Sequence, residues 1–237
     1  MENLFFNPNL TAGDGNLLDD DEAYHAIKVL RVKVGEIIRI SNGVNYWVRG
    51  PITQIDKRTL KISVEQSGNI ENENPQLILV QALTKSERIK EMLELVTAAG
   101  VDQVIPWQSQ RAIGKWQKDS QIKWQQSIQE ACKQSRRVKL PILKKQLNTK
   151  ELIDVLQSDF SIVLHESTTT KFSSLQIPNN ISSIYLVIGP EGGITDQEID
   201  SFVKIGSAVV KLGEPILRSA HAGIAALSAL QTKLGKW

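Results

Sequence analysis

The chain has 237 residues, 41% hydrophobic and 23% charged, with 28 Lys and Arg against 26 Asp and Glu for a formal net charge of +2. That apolar mass excludes an intrinsically disordered chain, and the length suits one large domain or two smaller ones with a core that needs no covalent staples. Its single cysteine, Cys132, excludes an intramolecular disulfide and a multi-cysteine zinc site.

The start, Met1-Glu2-Asn3-Leu4-Phe5-Phe6, lacks the basic residues and long apolar stretch of a signal peptide. No run approaches the length that spans a bilayer, so a soluble, cytoplasmic protein with no membrane role is expected. Glu22–Leu30 carries apolar residues at Ala23, Ala26, Ile27 and Leu30, the spacing of a short amphipathic helix. Four β-favouring runs follow at 37–40, 46–48, 52–55 and 60–64. Turn signals at Ser41-Asn42-Gly43, Gly50-Pro51 and Asp56-Lys57 separate them. Such spacing suits a small barrel or sandwich over residues 1–70. The polar, turn-rich stretch Ser67–Pro75 reads as a linker to a second domain at 76–237.

Beyond the linker the texture changes. Leu77–Leu83 is nearly continuously apolar, as expected of a strand buried on both faces of a parallel sheet. A helix at 86–99, a short strand at 104–105 and a helix at 120–137 follow. Strands at 161–164, 184–188 and 208–212 come next, the last two each leading into a helix. This alternation predicts an α/β layer with a parallel sheet.

Positive charge is unevenly placed. Residues 111–150 hold eleven Lys and Arg against Asp119 and Glu130, and residues 28–61 hold eight against Glu36 and Asp56. The acids gather elsewhere, at Asp14 and Asp19–Glu22. Clusters of this kind suit a polyanion partner, and they also suit solvated helix faces.

The sharpest motif is Ile188-Gly189-Pro190-Glu191-Gly192-Gly193, in which a buried strand ends in a glycine-rich loop. Thr195 and Glu198 then form a capping box that starts a helix. Glycine lets a backbone approach a ligand closely, and ligands of open α/β sheets sit beyond the carboxyl ends of strands. The loop matches neither a P-loop nor a dinucleotide fingerprint. Two further strand ends, Leu164-His165-Glu166 and Leu212-Gly213-Glu214-Pro215-Ile216-Leu217-Arg218, carry loops able to converge on it. Three such ends suit a cofactor pocket better than a bare turn.

Gly189–Gly193 together with Leu212-Gly213 and Ile216-Leu217-Arg218 resembles the SPOUT superfamily of RNA methyltransferases. More narrowly, the chain resembles the ribosomal RNA small subunit methyltransferase E family, which methylates uracil N3 at position 1498 of 16S rRNA. The likeness runs over nearly the whole chain: His25 with Val29-Leu30-Arg31, Gly35 and Asn42-Gly43 resemble a PUA-like first domain. Gly100-Val101, Ile105-Pro106, Arg111, and Glu130-Ala131 with Gln134-Ser135-Arg136 and Pro141 resemble the middle section. Two stretches depart from the family pattern. Ser219-Ala220-His221-Ala222 stands where many members have Thr-Glu-Thr-Ala, and Ala98-Ala99 stands where they often have Glu-Leu.

The resemblance implies a small PUA-like β-barrel followed by an α/β parallel-sheet domain with a trefoil knot, assembled as a homodimer. It implies S-adenosylmethionine bound by Leu164, His165 and Glu166, by Ile188, Gly189, Pro190, Glu191, Gly192 and Gly193, and by Leu212, Gly213, Ile216 and Leu217. It implies no metal. The partner is 16S rRNA in the small ribosomal subunit, with RNA contacts expected from Lys28, Arg31 and Arg39 of the first domain. Arg111, Lys115, Gln134, Ser135, Arg136 and Arg137 are the expected contacts of the second. Trp107, Trp116 and Trp124 are either stacking platforms or core. Arg218 is the candidate for stabilising charge on the uracil carbonyls, paired with Glu191 as catalytic residue. The proton acceptor is open among Glu191, Glu166 and His221, and Cys132 reads as core. Another SPOUT-type RNA methyltransferase and a non-catalytic RNA-binding assembly factor are the alternative functions.

Overall fold

The computed structural model describes residues 2–13 and 17–237; Asp14, one of the clustered acids, lies outside the described residues. Contacts divide the chain into two compact units. One comprises Met1–Asn72 with Cys132–Leu140, the other Glu73–Ala131 with Pro141–Trp237.

The first unit is built on six strands: β1 (Asn3–Phe6), β2 (Leu17–Asp19), β3 (Ile37–Ser41), β4 (Tyr46–Ile55), β5 (Thr59–Ile62) and β6 (Gln66–Asn69). Their order is β1-β3-β4-β5-β2, with β6 also on β4, and only β1 and β3 run parallel. Alternation along β3 sends Ile38 and Ile40 into a core with Phe5, Leu18, Val48, Ile52 and Leu60. Arg39, between them, instead lies 4.6 Å from the centre of the Trp47 ring.

Two expectations fail here for identifiable reasons. Gly50-Pro51 is no turn, because β4 runs straight through it and bends at a bulge between Ile52 and Gln54 as it passes from β3 to β5. An added Cβ at Gly50 would lie 1.8 Å from the Ser63 carbonyl oxygen, so glycine is there for close backbone approach. Nor is Ser67–Pro75 all linker, since Gln66–Asn69 pairs with β4 as β6. Gly68 lies against Trp47, whose ring atoms would stand 2.8 Å from a Cβ. The turn at Asn42-Gly43 is present: Asn42 Oδ1 accepts from the backbone N–H groups of Val44, Asn45 and Tyr46 at 3.0 Å each. The helix expected at 22–30 is α1 (Asp20–Tyr24), continuing into a π-helical turn at His25–Val29 that buries Ala23 and Ala26.

The segment 132–140 belongs with the first unit, which corrects the placement of Gln134–Arg137 in the second domain. Ser41 Oγ donates to the Val138 carbonyl at 2.6 Å and Leu140 N donates to the Gly43 carbonyl at 2.8 Å. Lys133 also pairs with Glu22, with only a fifth of each side chain exposed.

The second unit is a seven-stranded sheet, parallel throughout: β7 (Gln76–Ala82), β8 (Gln103–Gln108), β9 (Ile142–Leu143), β10 (Leu147–Asn148), β11 (Phe160–Leu164), β12 (Ser183–Ile188) and β13 (Ala208–Val210). The order is β10-β8-β7-β12-β11-β13, and β9 shares the outer edge of β8 with β10. Five helices accompany it: α2 (Ser86–Ala98), α3 (Ser120–Ser135), α4 (Thr149–Leu156), α5 (Asp196–Lys204) and α6 (Ser219–Lys233). Helices α4 and α5 cover one face, where Ile78, Val80, Val163 and Val187 pack with Leu152, Leu156 and Phe202. Helix α6 packs on α2, β7 and β12. At Gly223, on that packed face, an added Cβ would make ordinary contact with Leu79 and Val96 at 3.5 Å. Strand β13 stops short of Leu212 because Lys211 turns aside to bridge Lys171.

Candidate active site

The three strand ends singled out in the sequence are neighbours in space. β11 lies between β12 and β13 with all three parallel, so their carboxyl-terminal loops open side by side. Between those loops is a cavity of about 310 Å³.

Local chemistry shapes each wall. After β12, Gly193 N donates to the Pro190 carbonyl at 3.0 Å, closing a turn that puts Gly193 at φ +74°, where glycine is favoured. The capping box then starts α5: Glu198 N donates to Thr195 Oγ1 at 3.3 Å, and Thr195 N donates to Glu198 Oε2 at 3.1 Å. Lys211 N donates to the Thr170 carbonyl and Phe172 N to the Lys211 carbonyl, both at 2.8 Å. These two bonds fasten the loop after β13 to the loop after β11.

The cavity brings together Leu164, His165 and Glu166; Ile188, Gly189, Pro190, Glu191 and Gly193; Leu212, Gly213, Ile216 and Leu217; and Arg218. Gly192 is the one expected cofactor residue outside this lining. Its missing Cβ faces Arg111 instead, at 3.2 Å from both Arg111 Cβ and the Arg111 carbonyl oxygen, and Arg111 Nη1 donates to the Gly192 carbonyl at 3.3 Å. A side chain at 192 therefore displaces Arg111 rather than filling ligand space.

The lining combines apolar Leu164, Ile188 and Leu217 with the polar side chains of Glu166, Glu191 and Arg218. Arg218 is exposed and caps the start of α6 through its backbone carbonyl, with no cap bond from its side chain. Among the described residues its guanidinium has no ion-pair or hydrogen-bond partner. His221 lies outside the lining, with Nε2 3.4 Å from Glu91 Oε1.

Sequence reasoning missed the supports. Ser219 Oγ donates to the Gly189 carbonyl at 2.6 Å, and Gln81 Nε2 donates to Ser219 Oγ at 2.9 Å. Gln81 is 1% exposed, and a lone glutamine inside the apolar run of β7 was the available signal. Glu198, also 1% exposed, does more than cap a helix. Its Oε1 accepts from Gln110 N at 2.9 Å and from Thr149 Oγ1 at 2.8 Å, so one buried carboxylate holds α4, α5 and the loop that carries Arg111.

The expected RNA-contact residues separate by unit. Lys28, Arg31, Gln134, Ser135 and Arg136 are exposed in the first unit and Arg111 and Lys115 in the second, while Arg137 is half-buried. Arg39 is partly committed, its Nε lying 3.2 Å from Glu2 Oε1. Trp107 and Trp124 are buried, which makes them core rather than stacking platforms. Trp107 packs edge-on against Phe202. Cys132 is buried as well, and the loss of solvent pushes its thiol up to about 12, outweighing the opposing pull of Arg137. No group of His, Cys, Asp and Glu suited to a metal ion occurs among the described residues, and no helix is long and apolar enough to cross a membrane.

The chain is similar to known proteins over nearly its whole length. Residues 71–231 match the RNA methyltransferase domain family and residues 18–65 the RNA methyltransferase PUA domain family. The ribosomal RNA small subunit methyltransferase E of Mycobacterium bovis is 31% identical, over 93% of this chain and 87% of its own. That of Buchnera aphidicola (subsp. Schizaphis graminum) is 29% identical, over 92% and 90%. The crystal structure of a ribosomal RNA small subunit methyltransferase E from Neisseria gonorrhoeae, bound to S-adenosyl methionine, superposes with a TM-score of 0.88 at 26% identity, covering 98% of both chains.

Proposed function

The chain belongs to the ribosomal RNA small subunit methyltransferase E family, and from that premise we propose that it transfers a methyl group from S-adenosylmethionine to uracil N3 of 16S rRNA, at position 1498. The observation that carries this reading is Arg218 lining the same cavity as the glycine loop.

The cavity suits that cofactor. Leu164, Ile188 and Leu217 offer apolar surface to a planar base, and Glu166 and Glu191 offer acceptors to hydroxyl or ammonium groups. At Gly213 an added Cβ would meet nothing nearer than Pro215 Cδ at 3.8 Å, so the backbone there lies open to a ligand. When bound, S-adenosylmethionine supplies an electrophilic methyl group on a sulfonium.

The protein's work is on the uracil. N3 carries a proton at neutral pH, and it becomes nucleophilic as that proton leaves and negative charge spreads to O2 and O4. The Arg218 guanidinium stabilises this charge, more strongly as it develops. A cavity carboxylate takes the proton: Glu191 on the glycine loop, with Glu166 as the rival position. His221 falls away as proton acceptor, because it lies outside the cavity with Glu91 as its partner. The target base must leave its stack to reach this site.

A homodimer is part of the proposal. Ile216 is 79% and Leu217 43% exposed at the cavity, apolar surface that a second copy would cover. The fastening of 170–172 to Lys211 before α6 returns to β7 and β12 supports a knotted path. The test is methyl transfer from labelled S-adenosylmethionine to 30S particles from a strain lacking the enzyme, with the labelled nucleotide mapped. Label on N3 of uridine 1498 is expected; label on another atom or nucleotide, or none, overturns the assignment. Sedimentation at the monomer mass would overturn the dimer.

A further inference from the structure

A second depression opens on the same carboxyl edge of the parallel sheet. It encloses about 690 Å³, between Thr84 and Lys85 after β7, Lys90 on α2, Lys115 after β8, and Lys123 on α3. Part of its lining is closely approached backbone. Gly114 lies so close to the end of β7 that an added Cβ would stand 2.2 Å from the Thr84 carbonyl oxygen, and Gln108 Nε2 donates to the Gly114 carbonyl at 3.2 Å. The α3 wall is braced by buried Trp124, which meets Trp116 edge-on at 5.2 Å between ring centres.

Four lysines line this groove against one acid, Asp119. Lys123 is held by Asp119 at 2.6 Å, and Lys90 lies 3.4 Å from Glu130, each through exposed side chains that solvent screens. Lys85 and Lys115 have no ion-pair partner among the described residues and are exposed, each following one of the two residues, Thr84 and Gly114, whose backbones meet. A groove with four ammonium groups against one carboxylate, two of them unneutralised, suits a chain of phosphates, while Ile89, Ile113 and Trp124 supply its apolar surface.

Its position relates it to the cofactor cavity. β7 and β12 are adjacent and in register, with Gln81 opposite Ile188. Thr84 and Gly189, which begin the two sites, therefore leave neighbouring strands at the same edge. Arg111 sits on the loop that also supplies Lys115, and its guanidinium touches the glycine loop at Gly192. Arg111, outside both linings, thus adds a further positive charge where the loop of Lys115 meets the glycine loop.

We propose that this groove holds the phosphodiester backbone of the RNA strand flanking the target nucleotide. Lysines act there as point charges that fix the strand's position without reading its bases. This rests on the RNA methyltransferase reading above, and it adds a site for the substrate's flank distinct from the site of chemistry.

The experiment compares the full-length protein with the Lys85→Ala, Lys115→Ala double variant. Binding to unmethylated 30S particles is measured over a range of salt, beside S-adenosylmethionine affinity and thermal stability. Losing two phosphate contacts should weaken particle binding and make the plot of log affinity against log salt shallower by about 1.4, at about 0.7 per contact for a single strand. Cofactor affinity and melting temperature should stay at wild type. An unchanged slope and affinity in the folded variant would overturn the groove. So would a change in sedimentation mass with the slope unaltered, which would show that a second copy of the chain covers this face. Failure of the wild-type protein to bind or methylate the particle would instead strike the functional reading, so the two failures are distinguishable.

Discussion

The Ser219 hydroxyl donates to the Gly189 carbonyl at 2.6 Å, joining the first residue of α6 to the loop after β12. Gln81, from β7, donates in turn to that hydroxyl. Three segments distant in sequence thus share one buried chain of bonds beneath the cavity. Removing the hydroxyl leaves both the Gly189 carbonyl and the Gln81 amide short of a partner, at a cost of about 1–3 kcal/mol for a buried group left unsatisfied. Ser219→Ala should therefore lower thermal stability and weaken S-adenosylmethionine binding together, while Ser219→Thr, which keeps the hydroxyl, should hold both near wild type. Calorimetric titration beside a melting curve checks this; an alanine variant with unchanged affinity would leave the bond a purely structural one.

At Gly192 the structure redirects an obvious test. The position faces Arg111, so Gly192→Val should push the arginine loop away and weaken binding to 30S particles. S-adenosylmethionine affinity should fall by less than the RNA affinity does. Paired titrations with cofactor and particle decide it. Loss of cofactor binding alone, in a folded variant, would return Gly192 to the cavity.

Much of the second unit was legible because its strands are buried on both faces. Burial of that kind writes a continuous apolar run such as Leu77–Leu83, and glycines at the strand ends mark where backbone must come close. The first unit was less so. β4 passes through Gly50-Pro51 because Ser63 needs the space above Gly50, and β6 is a polar strand held by its ladder to β4. Neither fact leaves a local pattern. The segment 132–140 was misplaced for the same reason: its membership is decided by bonds such as Ser41 to Val138, across 97 positions. In the site, the residues lining the cavity were readable from glycine and aliphatic loops, whereas Gln81, Ser219 and Glu198 act through partners that only the fold supplies.

Glu198 gives the sharpest test of that second group. It is buried, and both carboxylate oxygens accept: Oε1 from Gln110 N and Thr149 Oγ1, Oε2 from Thr195 N. Glu198→Gln keeps the volume but turns one acceptor into a donor that faces existing donors. At least one part-buried N–H is then unpaired, at a cost of at most about 1–3 kcal/mol. The loop of Arg111 should loosen with it. The expected result is a lower melting temperature, faster hydrogen exchange at Gln110, and weaker particle binding that added S-adenosylmethionine does not restore. Wild-type exchange at Gln110 would show that the carboxylate does not anchor that loop.

Arg218 is assigned to the transition state rather than to substrate binding. As the N3 proton leaves, negative charge grows on the uracil carbonyls, and the guanidinium of Arg218, carried at the start of α6, stabilises that charge more than it does the neutral ground-state base. An interaction stronger in the transition state accelerates the chemical step, and losing one such donor typically costs roughly 10²–10³-fold in rate. Because the side chain has no partner among the described residues, removing it strands no other group, and the fold should survive. Arg218→Lys keeps the charge but loses the planar fork, so it should recover only part of the rate. Single-turnover methylation of saturating 30S particles separates the alternatives. A large fall in rate for Arg218→Ala, with cofactor and particle affinities near wild type, is the expected outcome. A loss of particle affinity with the saturated single-turnover rate unchanged would make Arg218 a phosphate clamp, and the charge on the uracil would need another stabiliser.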